Sequence, residues 1–282
     1  MIPFECLGLS IVSLWVSRSS VVWNALLLVA AVLAFKFGVM DGFGLLFAVA
    51  AGGSTYAYFH LPGSRTPKIA LAVGMSALTL GLYAHFFPGF REYSVFSNVA
   101  LSPGAYPTSL IWSFDKPLAG LMFLGWSTTR IHSGREWLRV LRITLPIFGL
   151  CAGLMIAVAV PIHAIGWAPK FNRLTALFTF GNLLFVCIPE EAFFRGFVQR
   201  RLDGFFSSRP KGPIWSVAIS SLLFGVCHFA GGIGLIFVAT VAGVFYGIAY
   251  QRSGRLEASI IAHFLLNLTH FALFSYPALK PH

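Results

Sequence analysis

Long apolar runs separated by short polar stretches dominate the chain. A helix needs about 20 such residues to cross a bilayer. Residues 20–40, 43–61 and 69–88 meet that length, with Lys36 near one end able to snorkel. Residues 106–125 form a weaker span that carries Asp115 and Lys116. Further spans are expected at about 143–165, 174–194, 212–230, 232–250 and 259–276. Residues 2–16 are apolar but hold Glu5 and lead into Arg18, which predicts a short interfacial helix, an uncleaved signal-like segment being the alternative. No repeat, low-complexity tract or long linker interrupts the pattern. The expected fold is therefore all-α, a polytopic transmembrane bundle of about eight or nine spans.

Composition agrees and narrows the function. The chain is 57% hydrophobic and 10% charged, against about 25% charged in soluble domains. That excludes a soluble enzyme, a disordered chain and a nucleic-acid binder. The net charge of +11 reads as cytoplasmic loops facing anionic lipid, with no nucleic-acid partner. With nine spans, thirteen basic residues fall on one side (Arg18, Arg65, Lys68, Arg130, Arg135, Arg139, Arg142, Arg200, Arg201, Arg209, Lys211, Arg252 and Arg255). Only Arg91, Lys170, Arg173 and Lys280 fall on the other, so the N-terminus is expected in the cytoplasm. The expected location is an integral protein of a bacterial or archaeal cell (inner) membrane. Cys6, Cys151, Cys187 and Cys227 lie in apolar runs without a CxxC pair and read as reduced structural thiols.

Ionisable groups inside a bilayer cost roughly 2.5–3.5 kcal/mol each on insertion scales and mark function by default. Three places in the last third of the chain break the apolar pattern. They are Ile188-Pro189-Glu190-Glu191-Ala192-Phe193-Phe194-Arg195, Phe224-Gly225-Val226-Cys227-His228, and His263-Phe264-Leu265-Leu266-Asn267. On a helix Glu191 and Arg195 share a face and can pair, as can Phe224 with His228 and His263 with Asn267. Glu190 and Glu191 point about 100° apart, so one can face a cavity while the other holds the arginine. Taken singly, each feature also fits an interfacial ion pair or interhelical polar glue. Pro189 removes a backbone donor and predicts a bend, leaving a carbonyl near Phe185 in need of a partner. We expect the Glu190 helix to continue past Arg195 toward Leu202, which sets the carboxylate deeper than the end of the apolar run.

In this order, EExxxR, FxxxH and HxxxN resemble the three motifs of the CPBP (Abi, or CAAX protease and bacteriocin-processing) family of intramembrane proteases, which includes the type II CAAX prenyl endopeptidases. All three motifs stand unsubstituted, and Gly196 after the arginine also resembles the family pattern. The resemblance covers residues 143–276, expected to be the protease core, and leaves residues 1–142 as an N-terminal transmembrane region without an assigned role. Within that region Phe114-Asp115-Lys116-Pro117-Leu118-Ala119-Gly120-Leu121 looks motif-like.

The resemblance implies that Glu190 is the general base activating water, helped by His228. It implies that His263 and Asn267 form the oxyanion hole, and that Glu191 and Arg195 order the site. The chemistry agrees: a carboxylate in a low-dielectric cavity is a stronger proton acceptor, and Asn and His donors suit a tetrahedral oxyanion. The family was historically called metalloendopeptidase, and zinc stays open as a cofactor with Glu190, His228 and His263 as ligands. Metal-free glutamate chemistry is favoured, because HExxH is absent and the candidates are scattered over three helices. The expected partners are the lipid bilayer and a lipidated or transmembrane protein substrate, cut near the cytoplasmic side. Two other classes compete with this reading: a transporter or proton-relay subunit, for which inverted repeats are missing, and a non-catalytic membrane scaffold.

Overall fold

Residues 1–127 and 130–281 are described by the computed structural model. The fold is all-α except for a two-stranded sheet of β1 (Tyr93–Val99) and β2 (Thr108–Trp112). Among the described residues, five helical segments are long and apolar enough to cross a membrane: Gly42–His60, Gly134–Ala159, Arg173–Phe205, Phe229–Ser253 and Leu256–Leu273. Three shorter apolar helices accompany them, Ile2–Val16, Ser20–Lys36 and Gly212–Val226. The chain is an integral membrane protein, and its residues sort into two compact units, each described by itself.

The first unit comprises Met1–Ser94, Ile111–Thr129 and Leu184–Ala192. It contains α1 (Ile2–Val16), α2 (Ser20–Lys36), α3 (Gly42–His60), α4 (Arg65–Tyr83) and α5 (Asp115–Ser127). Helix α1 packs against α2 and α5 through Phe4, Leu7, Ile11 and Leu14, each 0–1% exposed, a stripe at helical spacing. Phe4 is the centre of an aromatic cluster with Tyr93, Trp112, Phe114 and Phe185, at ring distances of 5.8–6.0 Å. Asp41 caps α3, its Oδ1 accepting from the amides of Phe43 and Gly44. Helix α4 ends five residues short of the expected 69–88 span. Ala84 and then His85, which adopts a left-handed φ of 57°, turn the chain away.

The expected span 106–125 is instead strand β2 followed by the 13-residue α5. At about 1.5 Å per residue, α5 is roughly 20 Å long. Proline suits the boundary. Pro117 lacks an amide hydrogen and is best accommodated in a first turn, and it stands third in α5. Helix α5 is the core of the unit, with Leu118, Ala119, Leu121, Phe123 and Leu124 at most 2% exposed.

The second unit comprises Val95–Leu110, Arg130–Leu183 and Phe193–His282. Its helices α6 (Gly134–Ala159), α10 (Gly212–Val226), α11 (Gly232–Ser253) and α12 (Leu256–Leu273) pack in the pairs α10–α11, α11–α12, α12–α6 and α11–α6. Helix α6 starts nine residues before the expected 143. Ser133 caps it by accepting from the Glu136 amide, and Arg135, Arg139 and Arg142 favour helix although too polar for hydrocarbon. Helix α11 stops at Gly254, whose left-handed φ of 66° supplies the usual glycine stop. Lys170 ties down the end of α12, donating to the carbonyls of Ala168, Phe271 and Phe274. Burial pushes its ammonium below the ordinary lysine value.

The segment Arg173–Phe205 is helical throughout, as the expected continuation past Arg195 requires. It is not regular. It runs as α7 (Arg173–Gly181), a π-helical stretch Asn182–Cys187, α8 (Ile188–Phe193), a second π stretch Phe194–Gln199, and α9 (Arg200–Phe205). A π turn bonds i to i+5. The first stretch ends two residues before Pro189, whose missing amide hydrogen leaves the ladder one donor short. Such π turns occur often at functional sites.

Candidate active site

Glu190 and Glu191 lie in α8 and are 6% and 0% exposed. Glu190 Oε1 accepts from Lys116 Nζ at 2.6 Å, and both side chains are largely shielded, that of Lys116 at 16% exposure and that of Glu190 at 8%. Lys116 comes from the first turn of α5. Its amide donates to Asp115 Oδ1 at 2.8 Å, and its ammonium lies 5.8 Å from the centre of the Tyr83 ring. Tyr83 in turn donates its hydroxyl to the carbonyl of Pro189 at 2.6 Å. Asp115, 2% exposed, accepts from His85 Nδ1 at 3.0 and 2.8 Å. Gly120, one turn beyond Lys116, lies directly on Pro189, and a Cβ at Gly120 would run into the Pro189 backbone. The first unit therefore grips Pro189 and Glu190 from α4 and α5.

Arg195, His228, His263 and Asn267 belong to the second unit, where the first three surround the ring of Phe224. Arg195 is fully buried. Its guanidinium donates to the Gly243 carbonyl at 2.9 Å and lies 4.6 Å from the Phe224 ring centre and 5.5 Å from that of Tyr246. An arginine so placed is stabilised by ring quadrupoles as well as by its hydrogen bond. His263, 4% exposed, stacks on Tyr246 at 4.6 Å and 15°, and meets Phe224 edge-on at 5.7 Å. His228 sits just past the end of α10, with its ring 4.7 Å from Phe224. His228 Nδ1 donates to the Phe224 carbonyl at 2.8 Å. A carbonyl only accepts, so Nδ1 carries the hydrogen and Nε2 of the neutral ring is an acceptor. Asn267 Nδ2 donates to Asn182 Oδ1 at 3.4 Å, a long bond joining the third motif to the first π stretch.

Gly243 makes room for this arrangement. A Cβ there would stand 3.0 Å from an Arg195 guanidinium nitrogen and 3.2 Å from the Phe224 ring. Gly247, one turn further along α11, faces Gln199, a fully buried amide that donates to the Gly247 carbonyl at 3.1 Å.

Each motif residue is thus buried or half-buried at a defined position, and Phe224 joins Arg195, His228 and His263 within the second unit. Lys116, Tyr83, His85 and Asp115 are the candidate functional residues that spacing alone does not reveal. A signal for two of them is present, since Asp115 and Lys116 are charges inside an apolar run. No local rule connects Lys116 to a carboxylate 74 residues away. Among the described residues no three His, Cys, Asp or Glu side chains gather as a metal ion requires. The donor set therefore does not fit a resident zinc, and no step below is routed through one.

Neither the curated proteins nor the solved structures yielded a match to this chain. Residues 172–269, roughly a third of the sequence, match a family model described as Rce1-like, type II CAAX prenyl endopeptidase Rce1-like, and that segment contains all three motifs and bears out the resemblance read from them.

Proposed function

We propose that the protein is an intramembrane endopeptidase, hydrolysing a peptide bond of a lipidated (CAAX-type) or membrane-helical substrate. The observation that carries this reading is the Rce1-like match over residues 172–269, on a segment whose motif carboxylates and imidazoles are held in apolar surroundings. In this reading residues 143–276 form the protease core, and residues 1–142 supply groups that support it.

Glu190 acts as general base. It takes a proton from water, and the hydroxide oxygen attacks the scissile carbonyl carbon. The tetrahedral oxyanion accepts hydrogen bonds from His263 and Asn267, the kind of donor whose removal costs on the order of 10²–10³ in rate. The proton then passes to the leaving nitrogen, the C–N bond breaks, and the carboxylate is regenerated. His228 assists the proton transfers through Nε2, while Glu191 and Arg195 keep the site in order. Cleavage is placed near the cytoplasmic side, where Arg200, Arg201, Arg209 and Lys211 gather. The same basic-residue asymmetry puts the N-terminus in the cytoplasm, counting α5, short but buried along most of its length, as a crossing.

The test uses full-length protein in proteoliposomes with a fluorogenic peptide ending in a farnesylated CAAX sequence, beside peptides spanning a membrane boundary. Wild type cleaves one class, while Glu190→Gln and His228→Ala abolish cleavage yet still show a cooperative melting transition. Full activity in either variant overturns the mechanism.

A further inference from the structure

The motif-like stretch Phe114–Leu121 stands outside the family match, yet it bears on Glu190 at several points. Lys116 and Gly120 are four residues apart on α5 and therefore share a face. That face meets two consecutive residues, with Lys116 on Glu190 at 2.6 Å and Gly120 on Pro189. Tyr83 adds a third hold through the Pro189 carbonyl. Lys116 is itself fixed by Asp115 at its amide and by the Tyr83 ring near its ammonium. A lysine in hydrocarbon is expensive unless it has a partner, and its placement here is specified by several residues at once.

We infer that Lys116 is a positioning residue for the reaction: its ammonium holds the Glu190 carboxylate in one rotamer. This inference rests on the role proposed for Glu190. The ion pair acts on the chemical step and leaves substrate binding to other groups. Lys116 is consumed in no step. It donates a hydrogen bond to Oε1 and keeps its proton while Glu190 receives one from water.

Lys116→Met, Lys116→Ala and Lys116→Arg are compared with wild type and Glu190→Gln in proteoliposomes, using whichever peptide wild type cleaves. Lys116→Met is expected to lower kcat by about 10²-fold, the scale of a misplaced catalytic group, with KM within about twofold. Lys116→Arg keeps charge and donor and is expected to recover at least about a tenth of wild-type kcat. Added methylammonium is expected to raise the rate of Lys116→Ala and to leave Glu190→Gln inactive, a response that a packing role for the lysine would not give.

Should Lys116→Met fail to fold, the arginine variant and the amine response decide. Wild-type kcat in Lys116→Met beside an inactive Glu190→Gln overturns this inference alone, and so does a Lys116→Ala defect that amines leave untouched. An active Glu190→Gln overturns the underlying mechanism instead.

Discussion

Replacing Gly243 by alanine tests whether the Phe224 cluster is as tightly made as it is drawn. The added methyl would stand 3.0 Å from an Arg195 guanidinium nitrogen, 3.2 Å from Phe224 Cδ1 and 3.3 Å from Ser221 Cα. Carbon contacts are most favourable at about 3.5–4.0 Å, so every neighbour must retreat by several tenths of an ångström. Ser221 Cα is backbone and cannot retreat alone. Arg195 is held by the carbonyl of Gly243 itself, and Phe224 is bounded by both histidines. Overpacking of this kind costs about 1–3 kcal/mol.

Gly153 in α6 supplies the control, since a Cβ there meets nothing within 4 Å. Both substitutions share the helical gain of about 0.8–1.0 kcal/mol from glycine to alanine, so their difference isolates the overlap. Melting of the two variants in detergent should differ by roughly 2–12 °C, taking about 2–4 °C per kcal/mol for a chain of this size. Cleavage by Gly243→Ala should fall about tenfold or more, because a displaced Phe224 carries His228 and His263 with it, while Gly153→Ala keeps wild-type turnover. Equal melting temperatures and equal rates for the two variants would refute the reasoning.

Two further outcomes concern the supports on either side. Gly120→Ala should destabilise the first unit and lower kcat, because the Pro189 backbone has no room to yield; expression, melting and turnover check it, and a neutral result removes α5 from the support of Glu190. Tyr246→Leu deletes both the face that stacks on His263 and one of the two rings over Arg195, the latter worth about 2 kcal/mol when desolvated. Turnover should drop with KM little changed, and a larger effect on KM than on kcat would speak against a role for His263 in the chemical step.

The parts of this molecule that rest on local chemistry are legible in its sequence. Apolar runs of membrane length mark α2, α3, α6, α11 and α12, because each such helix must satisfy its own backbone in hydrocarbon. The burial of Glu190, Glu191 and His263 follows from their places inside the apolar runs 174–194 and 259–276. Residues 106–125 mislead because hydropathy ignores Pro117, which sits best in the first turn of a helix. Pro189 announces an irregularity but not its form, since a missing donor is compatible with a bend or a widened turn. The partnership of Lys116 with Glu190 is set by how α5 packs on the segment 184–192, and chain distance carries no information about it. Spacing pairs Phe224 with His228 alone, yet three charged or polar motif residues surround its ring.

The two widened turns have a consequence for how this helix can vary. Each admits one residue more than the regular ladder, which advances everything beyond it by about 100° of azimuth. The acidic pair lies between two such advances, Asn182–Cys187 and Phe194–Gln199. Its compass bearing is therefore decoupled from that of the helical turns on either side. A single-codon deletion in the earlier stretch would tidy the hydrogen-bond ladder and swing both acids to another meridian, so here the regular helix is the damaging variant.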